Sequence, residues 1–438
     1  MGFYMRIAVI GAGISGLGAA WLLGRDHDVT IFEKQDRIGG HSNTVDVDFE
    51  GQPTAVDTGF IVYNELNYPN LVGLFAHLGV PTKGSEMTFA VSLRDKSLEY
   101  EGTLRGLLAQ PSNLFKPRYW SMLNGLRKFY AQAYHYSQTS PADETLGEFI
   151  ERCGFSEPFI QDHLLPMGAA IWSCPVDTML DFPARSFIQF LQNHKLMNYI
   201  DRPVWRTVDG GSREYIKRLL ADFNGQVKTN AVITGITRHS AGATVSLEGE
   251  GDIAFDKVIL AAHADESLSL IKDASKTETE LLSCFGFQPN EVILHSDSDL
   301  MPKRKAAWAA WNYLTSSDKA TQLSLTYWMN KLQSIEDDKP LFVTLNPFAR
   351  PAPSLTHRIF SYDHPIFDKA AILAQERLGE IQGQNHLYFC GAWTKYGFHE
   401  DGLSSAISVA KSLGSDIPWT SRTHAWHEPQ AFERGIGA

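Results

Sequence analysis

A glycine-rich turn near the start of the chain has the residue types and spacing that a bound diphosphate requires. The turn consists of Gly11, Ala12, Gly13, Ile14, Ser15 and Gly16. Gly11 permits a tight turn, Gly13 lets a pyrophosphate approach the backbone, and Gly16 lets the following helix pack close to the preceding strand. The N-terminus of that helix offers free N–H groups and partial positive charge to phosphates. The turn therefore predicts a dinucleotide site.

The elements around this turn are predicted by periodicity. The branched apolar residues at 6–10 predict a buried strand, residues 17–24 predict a helix, and residues 28–32 predict a second strand. Glu33 follows about 20 residues after Gly11, where an acid accepts hydrogen bonds from the adenosine ribose. An acid there favours FAD or NAD over NADP, which needs room for a 2′-phosphate.

Three further groups of residues, far apart in the chain, are candidates for the same site. The first consists of Lys34, Arg37, Gly39, Gly40 and His41, followed by the turn Asp57, Thr58, Gly59 and Phe60. The second is Val232, on a strand predicted at 226–236, with another strand predicted at 258–262. The third consists of Gly391, Ala392, Trp393, Gly402 and Leu403, opening a helix predicted at 404–411.

Together these stretches resemble the flavin-containing amine oxidase superfamily, which also includes protoporphyrinogen oxidases and carotenoid desaturases. The resemblance implies an FAD cofactor held by the residues above, with the C-terminal helix directed at the flavin, where its N-terminus would stabilise negative charge. Residues 203–211 are similar to the family's glycine-glycine return into the cofactor domain. The family usually has aspartate at the position of Ala392, so one contact to the ribityl chain is expected to be missing.

The resemblance also implies an α/β fold class, a Rossmann-like FAD-binding domain of the glutathione-reductase type with an inserted α+β substrate domain. We expect the FAD-binding domain at 5–81, 203–265 and 351–420, the substrate domain at 82–202 and 266–350, and a C-terminal tail at 421–438. The first insert is predicted to be mostly helical. The second is predicted to contain strands at 291–295, 323–327 and 341–345.

A closer resemblance is to a bacterial subfamily of predicted FAD proteins, carried by residues 303–313, 327–333 and 391–402. Its members are often encoded beside cyclopropane-fatty-acid synthase-like methyltransferases, and some relatives are implicated in desaturating methylated fatty acyl chains. The resemblance therefore implies an acyl lipid as one substrate class, alongside the amines typical of the superfamily.

Candidate catalytic groups are few, because a flavin carries out hydride transfer itself and the protein orients and tunes it. His399 and Glu400 lie in the closing motif, either as acid or base near the ring or as structural hydrogen-bonding groups. Lys305 resembles the lysine that many superfamily members place near flavin N5 through a water. His41 and Tyr63 are further candidates near the cofactor turns, and His295 is either functional or packed in a strand.

Two aromatic segments have alternative interpretations. The second insert contains Trp308, Trp311, Tyr313, Tyr327 and Trp328, which we expect to line an apolar substrate pocket, to be buried in a sheet, or both. Residues 104–136 interleave apolar and basic side chains. This pattern is typical of a surface facing anionic lipid or an apolar substrate mouth, or of helices packed on the core, and we favour the helices.

Composition excludes several classes of protein. The formal net charge of −11 argues against a nucleic-acid partner. The four cysteines form no C-x-x-C pair, and we expect no metal site. No stretch reaches the roughly 20 apolar residues of a spanning helix, so we expect a cytoplasmic protein, with peripheral contact at the inner face of the membrane left open. The oligomeric state does not follow.

The leading hypothesis is an FAD-dependent oxidoreductase that dehydrogenates an apolar substrate such as a fatty acyl chain. The alternatives are a flavin amine oxidase, a flavin-dependent redox-neutral isomerase, and a flavin-binding protein without activity. No second G-x-G-x-x-G motif is present, which suggests that electrons enter from the organic substrate rather than from NAD(P)H.

Overall fold

The computed structural model describes residues 4–93, 96–139, 141, 144–198, 203–315 and 324–420. The predicted tail at 421–438 lies outside these residues. The strands of the described part are β1 (Arg6–Ile10), β2 (Asp28–Phe32), β3 (Thr44–Phe49), β4 (Gln52–Asp57), β5 (Tyr63–Asn64), β6 (Thr82–Ser85), β7 (Phe89–Leu93), β8 (Leu98–Glu101), β9 (Trp205–Val208), β10 (Gln226–Lys228), β11 (Ile233–His239), β12 (Gly242–Leu247), β13 (Gly251–Phe255), β14 (Lys257–Leu260), β15 (Phe287–His295), β16 (Trp311–Leu314), β17 (Ser324–Trp328), β18 (Phe342–Leu345), β19 (Thr356–Pro365) and β20 (Leu387–Phe389).

The helices of the described residues fall in the same chain order. They are α1 (Ile14–Leu23), α2 (Pro69–His77), α3 (Pro117–Gln138), α4 (Leu146–Cys153), α5 (Glu157–Phe159), α6 (Leu165–Trp172), α7 (Val176–Leu180), α8 (Ala184–Asn193), α9 (Arg213–Asp222), α10 (Ala264–Leu270), α11 (Lys276–Leu282), α12 (Met329–Leu332), α13 (Lys369–Arg377) and α14 (His399–Ser412). None of the helices in these residues is long and apolar enough to cross a membrane.

A five-stranded parallel sheet, in the order β10-β2-β1-β14-β20, forms the first layer. Its strands are apolar throughout because both faces are covered. In β1, Ile7 and Val9 pack with α1, α9 and α14, whereas Ala8 and Ile10 face the core formed with β11–β13 and α13. The expected α/β, Rossmann-like fold class is confirmed.

Two predictions about element bounds in this layer were wrong. The strand predicted at 226–236 is two strands in different sheets, because Asn230 adopts a positive φ of 53° and turns the chain. The C-terminal helix begins at His399 rather than at 404, since the Asp401 carboxylate accepts a hydrogen bond from the Phe398 N–H and starts the helix there. His399 and Glu400 therefore lie on the helix and not in a loop.

A seven-stranded mixed sheet, in the order β19-β15-β18-β17-β16-β7-β8, forms the second layer. One face carries apolar side chains that pack under the helices α3–α8 in a single core. The opposite face carries buried polar groups, including Thr326, Thr344 and His295, which are hydrogen-bonded to one another. The predicted strands at 291–295, 323–327 and 341–345 are confirmed as parts of β15, β17 and β18.

The two layers are connected by strands from segments that were predicted to belong to different domains. Strand β19 lies in the segment predicted for the FAD-binding domain, yet it pairs with β15 along nearly its whole length in the second sheet. A small sheet of β5, β9 and β6 joins segments predicted for different domains. The first insert is mostly helical but also supplies β6, β7 and β8. The exact domain boundaries stay a prediction.

Candidate functional site

The glycine-rich turn forms an open cradle at the N-terminus of α1. A Cβ added at Gly16 would lie 1.9 Å from the Gly11 carbonyl oxygen, so the turn and helix are in direct contact there. A Cβ added at Gly13 would meet no atom within 4 Å. No side chain caps the helix. The open space at Gly13 and the uncapped N–H groups fit a pyrophosphate.

Glu33 lies beside this cradle, as its spacing predicted. Its carboxylate accepts hydrogen bonds from the N–H groups of Ala12 and Gln35, each at 2.9 Å. The Glu33 carbonyl accepts a bond from the N–H of Ala231, which brings the exposed side chain of Val232 to the same edge of the sheet. An adenosine half of FAD would be held here. Lys34, in contrast, points outward to an ion pair with Glu266.

The loop at 37–41 closes one side of the cradle. The Gly39 N–H donates to the Ala12 carbonyl at 2.8 Å, and a Cβ at Gly40 would lie 3.0 Å from Gly13 Cα. Both glycines have positive φ, 120° and 57°, in a region that favours glycine. Arg37 donates to the Gly40 carbonyl at 2.8 Å, so it holds this loop in place.

His41 has a free ring nitrogen inside the site. Its Nε2 is buried and has no hydrogen-bond partner, while the ring lies 5.1 Å from that of Tyr362 and 5.5 Å from that of His364. Burial, with smaller effects from neighbouring histidines, holds the pKa of His41 well below its ordinary value. A neutral imidazole with an unused nitrogen fits a polar group of a bound cofactor.

Asp57 was predicted to contact the cofactor, but its carboxylate is fully used by the protein. It accepts bonds from Thr44, from the N–H and Oγ of Ser212, and from the Gln333 amide. Burial raises the pKa of Asp57 to about 6. Asp57 therefore connects β4 to the turn at residues 210–212 and to the second layer. These hydrogen bonds also position the next residues of the motif.

Those next residues do border the site. Thr58 donates to the Asn43 carbonyl and shares a hydrogen bond with the Tyr362 hydroxyl at 2.8 Å. A Cβ at Gly59 would lie 2.2 Å from the His41 carbonyl oxygen, and Phe60 stacks on His399 at 3.8 Å. The two motifs from residues 37–41 and 57–60 thus form one wall.

The C-terminal motif meets the N-terminal turn directly. A Cβ at Gly402 would lie 2.8 Å from Ser15 Oγ, and a Cβ at Gly18 would lie 2.8 Å from the Leu403 side chain. The Gly391 N–H donates to Ser405 Oγ at 3.0 Å, and Trp393 Nε1 donates to the Ala262 carbonyl at 3.1 Å. These contacts leave Ala392 partly exposed beside the cradle.

The two catalytic candidates on α14 have structural partners instead. His399 Nε2 lies 3.0 Å from both Ser42 Oγ and the Tyr215 hydroxyl, and burial lowers the pKa of His399 to about 3. Glu400 accepts from the N–H groups of Asn70 and Leu71 and so caps α2. Burial raises the pKa of Glu400 to about 7. Both oxygens of Glu400 are thus occupied by donors of α2, and His399 Nε2 is occupied by two hydroxyl groups.

The other candidates lie further from the cradle. Lys305 is exposed on the short 3₁₀ turn Lys305–Ala307, which contacts the β8 edge of the sheet, with its ammonium over the Trp308 ring. The structure does not bring Lys305 to the cradle, because β8 is the strand of this sheet furthest from β19, and its role beside the flavin stays a prediction. Tyr63 packs among Tyr68 and Phe75. His295 is bonded to Thr344 at 2.7 Å, as expected of a packed strand residue.

The five predicted pocket aromatics lie on opposite faces of the sheet. Trp311 pairs with Tyr327, and Tyr313 lies two residues on, so these three share the helix-facing side. Trp328 is on the other side, where it contacts Trp308 edge-on at 5.2 Å. Trp308 and Trp328 are therefore excluded from a pocket on the helix-facing side.

The helix-facing side carries aromatic side chains that pack in one core with residues of the closing motif, and the cluster of Phe190, Trp311, Tyr327, Tyr396 and Phe398 is named here the aromatic chamber. Trp311 meets Tyr327 edge-on at 5.2 Å, and Tyr327 is hydrogen-bonded to Ser173 at the end of α6. Phe190 on α8 stacks on Phe398 at 5.1 Å and lies 5.8 Å from Tyr396. Tyr396 and Phe398 immediately precede α14, so the chamber adjoins the cofactor site.

Several residues of the site were missed by sequence reasoning. Tyr362 and His364, on β19, contact the cofactor turns although nothing in their local pattern marks them. Phe398 and Tyr396 lie within the closing motif and could have been found from its aromatic content. No group of three or more histidine, cysteine or acidic residues in the described part of the chain could hold a metal ion.

The first crossover helix of the parallel sheet has an open N-terminus, and a second helix from the C-terminal motif meets it there. This arrangement is typical of dinucleotide-binding proteins of the flavoprotein class. Comparison of the chain with models of known protein families identifies one family. The model of the flavin containing amine oxidoreductase family matches residues 14–320, and the chain belongs to that family. Membership in this family confirms the expected flavin cofactor.

Individual relatives are more distant. The chain is 26% identical over 257 residues to the predicted flavin-containing monoamine oxidase AofH of Mycobacterium tuberculosis, covering 57% of this chain and 55% of that protein. It is thus similar over about half the length of that relative. A 56-residue stretch, 12% of this chain and 11% of the relative, is 48% identical to a 4,4′-diapophytoene desaturase of Staphylococcus aureus.

Solved structures share the fold over nearly the whole chain. A fatty acid isomerase from P. acnes that produces CLA superposes with a TM-score of 0.63 at 18% identity, covering 93% of this chain and 98% of that one. A putrescine oxidase variant gives 0.68 at 15% identity, covering 94% and 99%. At these identities the likeness shows the fold alone.

Proposed function

We propose that this protein dehydrogenates an apolar substrate, and that a fatty acyl chain is the class that fits it. One observation carries the proposal: the aromatic chamber beside the closing motif consists of apolar aromatic side chains, and every buried carboxylate of the described residues already accepts hydrogen bonds. The buried acids are Asp57, Glu99, Glu101, Glu144, Asp162, Glu278, Glu400 and Asp401. Each accepts hydrogen bonds from the protein.

The chemistry follows from this lining. Bound FAD would supply a two-electron acceptor for a hydride from one carbon, while the neighbouring carbon would release a proton that leaves to bulk solvent, and a C=C bond would form. Trp311, Tyr327 and Phe190 exclude water and align an extended chain. The partial positive charge at the N-terminus of α14 favours negative charge at that end of the site.

The relatives support the same substrate class without establishing it. A desaturase and a fatty acid isomerase are among the similar proteins, and both names refer to hydrocarbon chains. Oxidation of an amine is the second candidate, favoured by the similarity to AofH and to putrescine oxidase. An amine would have to bind neutral, because a buried ammonium without a free carboxylate is costly.

The test is anaerobic mixing of the FAD-loaded protein with saturated acyl lipids, unsaturated acyl lipids and amines in parallel. Bleaching of the flavin by an acyl lipid, with a product two hydrogens lighter by mass spectrometry, is the expected result. Bleaching by an amine alone supports the second candidate. An acyl product of unchanged mass with a shifted double bond identifies an isomerase. If no substrate bleaches the flavin and no product forms, the proposal that this protein is a catalyst would be overturned.

The split of the aromatic residues gives a matched pair of variants. Trp311→Leu should slow flavin reduction by an acyl lipid about tenfold or more, because it removes part of the chamber wall. Trp308→Leu, on the opposite face, should change the rate by less than about twofold. Equal effects of the two substitutions would place the substrate elsewhere.

A further inference from the structure

We propose that an exposed apolar surface on the helical layer docks this protein on a bilayer containing anionic phospholipid. The surface, named here the docking face, consists of Leu104, Leu108, Leu114, Phe115 and Trp120. The docking face is separate from the cofactor site, so the inference goes beyond the proposed function and holds for any substrate.

The exposure of these side chains is unusual. Phe115 is 88% exposed, Leu104 86%, Trp120 54% and Leu108 53%. Single exposed apolar residues are ordinary on a protein surface, whereas a contiguous apolar patch marks a contact with another molecule or with a membrane. All five residues of the docking face fall within residues 104–120, and their exposed area has no covering element in the described part of the chain.

The residues of the docking face belong to one connected unit. It contains the 3₁₀ turns Gly106–Leu108 and Pro111–Phe115 and the start of α3. Trp120 Nε1 donates to the Leu114 carbonyl at 2.8 Å, which fixes the indole against the second turn. The Tyr119 hydroxyl donates to the Leu107 carbonyl at 2.8 Å and ties α3 to the first turn. The apolar side chains are therefore presented together on an ordered support.

The basic residues around the docking face favour binding to an anionic lipid surface. Residues 102–139 contain no aspartate or glutamate and five basic residues, Arg105, Lys116, Arg118, Arg127 and Lys128, although the chain has a net charge of −11. Arg118 is paired with Glu157 and Asp162, so the positive charge of this surface comes from the other four, of which Arg105 and Arg127 are exposed. Basic side chains beside exposed aromatic and leucine residues are typical of binding at an anionic lipid interface. A symmetric contact with a second copy would instead oppose like charges.

The docking face lies on the same helical layer as the aromatic chamber. The inner side of α3 packs against α8, which carries Phe190 of the aromatic chamber. The docking face and the chamber therefore belong to the outer and inner sides of the same helical layer. Binding to a bilayer would hold this layer at the lipid surface, where apolar molecules are concentrated.

Co-sedimentation of the FAD-loaded protein with vesicles tests the proposal. The protein should pellet with vesicles of phosphatidylcholine and phosphatidylglycerol, and at least about fivefold less with phosphatidylcholine alone. Raising the salt to about 0.5 M should weaken the binding, because the charge attraction is screened. Absence of binding to the anionic vesicles, or equal binding to both, would overturn the proposal.

A matched pair of variants identifies the surface. The triple variant Leu104→Ser, Phe115→Ser, Trp120→Ser should lower partition into anionic vesicles about tenfold or more, since apolar area no longer enters the interface. The control Ile359→Ser, Leu373→Ser changes residues 56% and 52% exposed elsewhere and should leave partition within about twofold. Equal loss in both would overturn the assignment.

Folding and self-association are checked on the same samples. Flavin absorbance and far-UV circular dichroism should be unchanged in the triple variant, because all three side chains are exposed. The variant Arg105→Glu, Arg127→Glu gives an independent measurement and should also lose vesicle binding. If the triple variant changes the oligomeric state in size-exclusion chromatography and leaves vesicle partition unaltered, the docking face binds a second copy and the bilayer proposal is wrong.

Discussion

Gly13 and Gly16 are three residues apart, yet an added methyl group would meet different surroundings at each. At Gly13 it enters open space, and the φ of −77° suits alanine. Gly13→Ala should therefore leave the free energy of unfolding of the apoprotein within about 0.5 kcal/mol and weaken FAD binding at least about tenfold, since the methyl group fills the pyrophosphate cradle.

Gly16→Ala is the matched control for that prediction. Its methyl group would lie 1.9 Å from the Gly11 carbonyl oxygen, so the turn and α1 must separate. We expect a loss of stability of about 1–3 kcal/mol or more together with loss of FAD. Urea unfolding and flavin titration measure both effects. Unchanged FAD affinity in Gly13→Ala would mean that the diphosphate lies elsewhere.

His41 is expected to bind the cofactor through its unpaired Nε2. His41→Ala should weaken FAD binding by about tenfold, because one hydrogen bond to a charged or polar ligand group is lost. The control His295→Gln changes a histidine on the far face of the second sheet and should leave FAD affinity unaltered. Fluorescence titration with FAD measures both, and equal affinities of His41→Ala and the unchanged protein would exclude the contact.

At the residue scale, sequence predicted the groups whose function depends on the backbone. The glycines at 11, 13 and 16, Glu33 and the closing Gly402 are marked by spacing, because a cradle for phosphate needs fixed backbone geometry. Side chains such as Asp57 and Glu400 fit the motif equally well, but their hydrogen-bond partners come from distant segments. No local pattern identifies Ser212, Gln333 or Asn70 as those partners.

Glu400 illustrates how elements are held together. It joins α14 to the N-terminus of α2 through the N–H groups of Asn70 and Leu71. Glu400→Gln should reduce the free energy of unfolding by about 1–3 kcal/mol, because an amide nitrogen faces these donors, and leave FAD affinity within about twofold. The control Glu376→Gln, exposed on α13, should cost less than about 0.5 kcal/mol. A large loss of FAD affinity would restore a site role for Glu400.

At the element scale, periodicity predicted strands well and their partners poorly. The apolar runs at 6–10, 28–32 and 258–262 indicated buried strands, and their order in the parallel sheet follows from the motif. The partner of β19 could not be predicted, since a strand in the second sheet and a strand in the first have the same alternation. The division of Trp308 and Trp328 from Trp311 likewise depended on register, which sequence alone does not fix.

At the scale of the whole molecule, burial keeps several histidines of the described residues in the neutral form. Burial lowers the pKa of His163, His194, His295 and His364 to about 4 and that of His399 to about 3, and it lowers the pKa of His41 well below the ordinary value. Burial raises the pKa of Glu400 to about 7 and of Asp57 and Asp401 to about 6.

These shifts predict acid lability. Between about pH 4.5 and 6 the unfolded chain binds protons at the six histidines, whereas the folded chain holds protons at the three acids, so unfolding takes up protons. Stability should therefore rise with pH across this range, by roughly 1–4 kcal/mol per pH unit. Urea unfolding at pH 5 and pH 7, with FAD in fixed excess, measures the change. A midpoint that is higher at pH 5 would contradict it.

The contact between Gly402 and Ser15 joins segments from the two ends of the chain. Strands β1 and β2 are synthesised first, but the sheet is complete only when β20 pairs with β14, and α14 then packs beside α1. The diphosphate turn and the helix that closes over it therefore come together only after β20 has joined the sheet. A polypeptide in which β20 has not yet paired with β14 holds an incompletely closed cofactor site, and bound FAD favours the closed form.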